Sequence, residues 1–147
     1  MEELRYRAVI EDVKPAINGG EFAIKRIIGE KVKLTFCPAP EDTGIYFVRS
    51  DMSGSPAIST RAEFVQATSL ATVLGGTEFS VSTVEHCLSA LAALRIDNLF
   101  IELDGPEIPI CDGSAHHFLQ AILSVGMVEQ GQPRKYAYID QAIYYGN

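Results

Sequence analysis

Apolar and polar residues alternate along the early part of the chain. Leu4, Tyr6, Ala8 and Ile10 take every second position of 4–10, the period of a half-buried strand. Val32, Leu34 and Phe36 repeat the pattern across 31–37. Pro38-Ala-Pro40 and Asp42-Thr-Gly44 then break the chain, and 45–49 reads as the returning strand. Segments 71–74 and 78–82 flank Gly75-Gly76, where freedom at positive φ suits a hairpin turn.

The period changes after Ser82. Val84, Cys87, Leu88, Leu91, Ala92 and Leu94 recur at helical spacing. Ser82-Thr-Val-Glu85 has the form of a capping box, a hydroxyl followed three residues later by a carboxylate. Residues 98–103 read as a buried strand closed by Asp104-Gly105. Asp112-Gly-Ser114 predicts the start of a second helix, with Phe118, Leu119, Ile122 and Leu123 inward and Gly126 as C-cap. One more strand is expected at 136–139. No internal repeat or low-complexity tract interrupts this order. Strands followed by two helices on one sheet predict an α+β fold: a single domain with a small, mostly antiparallel or mixed sheet layered against the helices. A length of 147 residues fits one such domain.

The first predicted helix lacks an ordinary solvent face. At about 100° per residue, His86, Ser89, Ala90 and Ala93 lie roughly opposite Val84, Leu88 and Leu91. No Lys, Arg, Asp or Glu occurs from His86 through Leu94. A helix without charge opposite its core stripe is usually covered on both sides. The cover could be a second domain, a partner chain or another part of this chain.

Net charge sharpens the picture. At −7, the chain repels phosphate backbones, which argues against nucleic-acid binding, although Lys25-Arg26 could meet one phosphate of a small ligand. Cys37, Cys87 and Cys111 are widely spaced and include no Cys-x-x-Cys, so neither a disulfide framework nor a thiolate zinc site is expected. The start lacks a signal-like apolar run and no stretch approaches a membrane span, so a soluble, cytoplasmic protein is expected.

Glu85 and His86 are the leading candidates for chemistry. Histidine is a common zinc ligand, and a neighbouring carboxylate can act as a general base. A capping box alone also accounts for Glu85, and His86 could be a hydrogen-bonded interface residue. His116 and His117 diverge on a helix and fit a first turn better than a shared metal. Cys87 does not face His86 and fits the core. Asp112 fits the turn before the second helix better than a catalytic role.

Longer stretches resemble a known family. Val81-Ser-Thr-Val-Glu-His-Cys-Leu-Ser-Ala-Leu-Ala-Ala-Leu-Arg-Ile-Asp-Asn98 resembles the signature of UDP-3-O-acyl-N-acetylglucosamine deacetylases of lipid A biosynthesis. Glu107-Ile-Pro-Ile-Cys-Asp-Gly-Ser-Ala115 and Cys37-Pro-Ala-Pro-Glu-Asp-Thr-Gly44 resemble two further family segments in the same order, over about residues 4–130. The resemblance implies two similar α+β domains with a zinc-dependent site between them, of which this chain is similar to the first. Residues 131–147 would begin the linker or last strand toward the second.

By that resemblance, His86 is a zinc ligand and Glu85 the general base toward the water that attacks the acetamide carbonyl of a UDP-linked acylated amino sugar, releasing acetate. Leu70, Ala71 and Thr72 would border the substrate. The other two zinc ligands would come from a His-Lys-x-x-Asp motif of the second domain, which this chain lacks. The cover over the His86 face would be that domain or another copy of this chain, and the isolated chain is expected to be inactive.

One segment departs from the family. Where the family carries Gly-x-Gly-Leu-His-Ser-Gly, this chain reads Ala23-Ile-Lys-Arg-Ile-Ile-Gly29. β-branched isoleucines restrict a loop that glycines leave free. This motivates an alternative: a non-catalytic relative acting as a binding, regulatory or dimerising module.

Overall fold

Two sheets and two helices make up the computed structural model, which describes residues 8–10, 32–136 and 138–146. In chain order they are β1 (Ala8–Ile10), β2 (Leu34–Pro38), β3 (Ile45–Arg49), β4 (Ala57–Ser59), a 3-10 turn (Ala62–Phe64), β5 (Val65–Ala67), β6 (Val73–Gly75), β7 (Ser80–Val81), α1 (Glu85–Ala93), β8 (Leu99–Leu103) and α2 (His116–Val125). The α+β expectation holds. Residues 4–7 of the first expected strand, the departing 23–29 segment and Lys25-Arg26 lie outside the described residues.

The five-stranded sheet runs β1-β2-β8-β3-β4. β8 sits at its centre, antiparallel to β2 and parallel to β3, with Ile101 opposite both Phe36 and Phe47. Alternation decides which face meets the helices: Leu34, Phe36, Phe47, Ile101 and Leu103 are buried with Val84, Cys87, Leu91, Phe118 and Ile122 in one core. Tyr46 and Phe100 occupy the other face, ring centroids 6.2 Å apart. A smaller antiparallel sheet, β5-β6-β7, carries the chain toward α1.

Arg49 ties the two sheets together. It falls on the inward positions of β3 and is only 8% exposed. Its Nε and Nη2 donate to Asp51 Oδ1 and Oδ2 at 2.7 and 2.6 Å, and Nη1 donates to Ser80 O in β7 at 3.2 Å. The bidentate pair raises the guanidinium pKa and holds the Asp51 carboxyl below the usual range.

Several expectations need correction. Gly75 and Gly76 do not use positive φ. Instead Gly75 is the end of β6, where an added Cβ would strike the Gln66 side chain as it crosses to donate Nε2 to Gly76 O at 3.0 Å. No side-chain cap forms at α1, whose N-cap is Val84: the Ser82 hydroxyl donates to Pro106 O at 3.4 Å instead, and the Glu85 carboxylate accepts the Thr72 amide. Ala90 is buried rather than on the open face of α1, while Ser89, Ala92 and Ala93 are exposed. Leu123 is 56% exposed, since it lies about 140° around α2 from Phe118. No strand includes Tyr136, Tyr138 or Ile139; all three are exposed, with no strand beside them among the described residues. β4 and β5, three residues each, have no counterpart among the expected strands.

Candidate active site

β7 leads through Ser82, Thr83 and Val84 into α1, so Glu85 and His86 stand in the helix's first turn. The Thr72 backbone meets this turn twice. Val84 N–H donates to Thr72 O at 3.3 Å, and Thr72 N–H donates to Glu85 Oε2 at 3.0 Å. The unpaired N–H groups at the helix start also favour a carboxylate there. Glu85 is half-buried, and the Thr72 amide is the one hydrogen-bond partner of its carboxylate among the described residues. Leu70 stands fully exposed at the end of the neighbouring loop, with Ala71 half-buried. The structure thus brings Thr72 onto Glu85, with Leu70 and Ala71 next to it in the chain.

His86 is half-buried, and its carbonyl accepts the Ser89 hydroxyl at 2.8 Å. Its imidazole has no hydrogen-bond partner among the described residues. No group of three or more His, Cys, Asp or Glu among the described residues could hold a metal ion. A zinc centre needs three or four protein ligands, so His86 can provide one but these residues do not complete a set.

The adjacent His116 and His117 lie at the start of α2. Asp112 Oδ1 accepts Ser114 N and Oγ at 3.0 and 2.7 Å, and Ser114 Oγ accepts His116 N at 3.1 Å. These bonds build the turn into α2, and those from Ser114 hold the Asp112 carboxyl below its usual range. His117 Nε2 approaches Asp112 Oδ2 at 3.5 Å, while the His116 and His117 rings sit edge to face at 6.0 Å. Cys87 is fully buried, which pushes its thiol pKa up, and burial pushes Cys111 to about 12. Neither thiol is poised as a nucleophile.

Two features escaped sequence reasoning. A cleft of about 890 Å³ lies at the C-terminal end of α1, lined by Leu94, Arg95, Asp97, Asn98 and the returning 125–135 segment. That segment is tied down by Asn98 Nδ2 to Gln130 Oε1 at 2.7 Å, Arg134 to Asp97 at 2.9 Å and Lys135 to Asp42 at 2.6 Å. The cleft touches neither Glu85 nor His86. The other feature is Arg49, whose signal was a charge in the inward register of an apolar strand.

Comparison with known proteins adds a second line of observation. The family model described as UDP-3-O-acyl N-acetylglycosamine deacetylase matches residues 25–147. A second model, alpha-1,4-glucan:maltose-1-phosphate maltosyltransferase domain N/S, matches residues 6–36 and so overlaps the 23–29 departure. A UDP-3-O-acyl-N-acetylglucosamine deacetylase of Bdellovibrio bacteriovorus is 65% identical over 80% of this chain and 39% of its own length. One from Chromohalobacter salexigens is 50% identical over 78% of this chain and 38% of its own. A bifunctional enzyme LpxC/FabZ of Porphyromonas gingivalis is 49% identical over 74% and 23%. The chain therefore spans less than half the length of these relatives.

Proposed function

The chain belongs to the UDP-3-O-acyl N-acetylglycosamine deacetylase family, and from that premise we propose that it forms one face of a deacetylase site, with Glu85 as general base and His86 as one zinc ligand. The observation that carries this reading is the Glu85 carboxylate, fixed through Oε2 by the Thr72 amide while Oε1 has no partner among the described residues. The reaction is hydrolysis of the acetamide of a UDP-linked, 3-O-acylated glucosamine, the step that commits the sugar to lipid A. Water adds to the carbonyl carbon, the C–N bond breaks, and acetate and a free amine result. Glu85 accepts the proton of the attacking water and returns it to the leaving nitrogen. When bound, zinc would polarise the carbonyl and acidify water. His86 fits as one of its ligands, and the remainder come from sequence present in the longer relatives.

Leu70, Ala71 and Thr72 are proposed to border the substrate, with exposed Leu70 offering apolar contact. The uncharged face of α1 and exposed Leu123 are proposed to receive the remaining part of such a protein. Among the described residues no helix is long and apolar enough to cross a membrane; a cytoplasmic setting is part of this proposal.

The test mixes the chain with a polypeptide carrying the rest of the Bdellovibrio relative, adds zinc, and measures acetate release. Activity above either part alone is expected, falling by about 10²–10⁴-fold in Glu85→Gln. No gain on mixing overturns the reading. The match of residues 6–36 to another family favours a second reading, a relative whose early segment no longer serves the site. Under it, activity appears only when residues 1–30 are replaced by the Bdellovibrio equivalents.

A further inference from the structure

We propose that Thr83 and Glu107 form a positioning pair that sets the direction in which Glu85 leaves the start of α1. Its catalytic consequence rests on the deacetylase reading; its geometry does not.

Thr83 has φ of 60° and is 5% exposed. Side chains branched at Cβ rarely adopt this left-handed conformation, and it persists only where the surroundings over-determine it. Asp42, Ser55, Arg95 and Cys111 also have positive φ, but none of them is β-branched. Glycine or asparagine would make the same bend with less strain. Threonine contributes what glycine lacks: Oγ1 donates to Glu107 Oε1 at 2.9 Å.

The acceptor is itself anchored. Ser82 and Glu107 form a parallel bridge, with Ser82 N–H donating to Pro106 O and Ile108 N–H to Ser82 O, both at 2.9 Å. Ile108 is 1% exposed, and Pro109 is among the fully buried side chains. The 106–109 segment thus fixes one side of the bend, and the Thr72 backbone holds the other through Val84 and Glu85. Rotation of Thr83 out of its bend would swing the first turn of α1 and break the Thr72–Glu85 contact. Thr83 and Glu107 therefore act on the reaction through Glu85, without touching substrate.

The Thr72 amide reports this directly, because its proton resonance depends on the carboxylate it meets. In ¹⁵N–¹H spectra of the chain, Thr83→Val and Glu107→Ala are expected to move the Thr72 amide toward its position in Glu85→Gln. Thr83→Ser, which keeps the hydroxyl, leaves it in place. Thr83→Gly allows the bend without strain, so it guards against a folding failure, but no longer holds it; it also moves the amide, because without the tie to Glu107 the bend is free to open. In the complemented assay, Thr83→Val lowers kcat by about tenfold or more with KM within about twofold, as expected for a misplaced base. Absence of acetate release by the wild-type mixture would sink the deacetylase reading while leaving the amide result standing. An unmoved Thr72 amide in both Thr83→Val and Thr83→Gly overturns the positioning pair, as does an activity loss that only follows the folded fraction.

Discussion

Replacing Arg49 with methionine probes the joint between the two sheets while keeping most of the side chain's apolar length. The change removes both donors to Asp51 and the donor to Ser80 O. Hydrogen bonds to charged groups contribute about 1.5–3 kcal/mol each, and breaking a fully buried pair costs about 3–5 kcal/mol. The Arg49 side chain is 10% exposed but that of Asp51 is 29%, so water takes over part of the loss. The expected destabilisation is about 2–3 kcal/mol. Arg61 and Glu63 provide the control: they stand 3.7 Å apart with side chains 73% and 64% exposed, where a pair contributes about 0–1 kcal/mol. Urea unfolding with linear extrapolation measures both, and Asp51→Asn completes a double-mutant cycle. The pair also predicts a pH dependence. The Arg49 hydrogen bond is the main cause that lowers the Asp51 pKa in the folded state. Its stabilisation is fully present above the unfolded value of about 3.9 and is lost as pH falls through the lower folded value. Arg49→Met should flatten that acid limb. A loss no larger than that of Arg61→Met, or an unchanged acid limb, would refute the argument.

Three further predictions concern packing and thiol chemistry. Gly75→Ala places a Cβ against the Gln66 side chain and should cost about 1–3 kcal/mol in thermal or urea unfolding; Gln66→Ala in the same background should recover most of it. Phe118→Ala empties a fully buried site between α2 and the sheet and should cost about 3–5 kcal/mol, whereas Leu123→Gln on the exposed side of α2 should stay within about 0.5 kcal/mol. In a maleimide assay at pH 8, Cys87 and Cys111 should resist modification in the folded chain and react on unfolding, because burial raises both thiol pKa values. Folded-state labelling of Cys87 at the unfolded rate would contradict the placement of its thiol in the core.

Much of the framework was legible because it rests on single-element periodicity. Val32, Leu34 and Phe36 alternate in sequence and are buried together, and the 45–49 strand has the bounds expected of it. Gly126 ends α2 at φ of 82°, as a C-cap glycine does. What periodicity could not show were commitments between distant residues. Ser82-Thr-Val-Glu85 has capping-box spacing, yet Pro106 O takes the Ser82 hydroxyl and the Thr72 amide takes the Glu85 carboxylate. The parity of Arg49 placed a charge inward, but nothing local named Asp51 and Ser80 as its partners. The strand expected at 136–139 has no neighbouring strand to pair with among the described residues, and an unpaired apolar segment does not make a strand. Glu85 and His86 were visible as neighbours at a helix start; Thr72 came to them through the family resemblance and through the fold, not through spacing.

The central position of β8 imposes an order of events on synthesis. Ile45 pairs with Leu99 and Leu34 with Leu103, so β2 and β3 reach the ribosome exit long before the strand that joins them. Until that strand emerges, both carry open edges, and such long-range pairing is slow to form. α1 lies within the loop that β3–β8 pairing closes. A nascent chain halted before Leu99 can hold the whole Thr83-Val-Glu-His86 segment and still have no sheet against which to orient it. Orientation of the 82–86 segment is therefore a late event in the chain's biogenesis, gated by the five residues of β8.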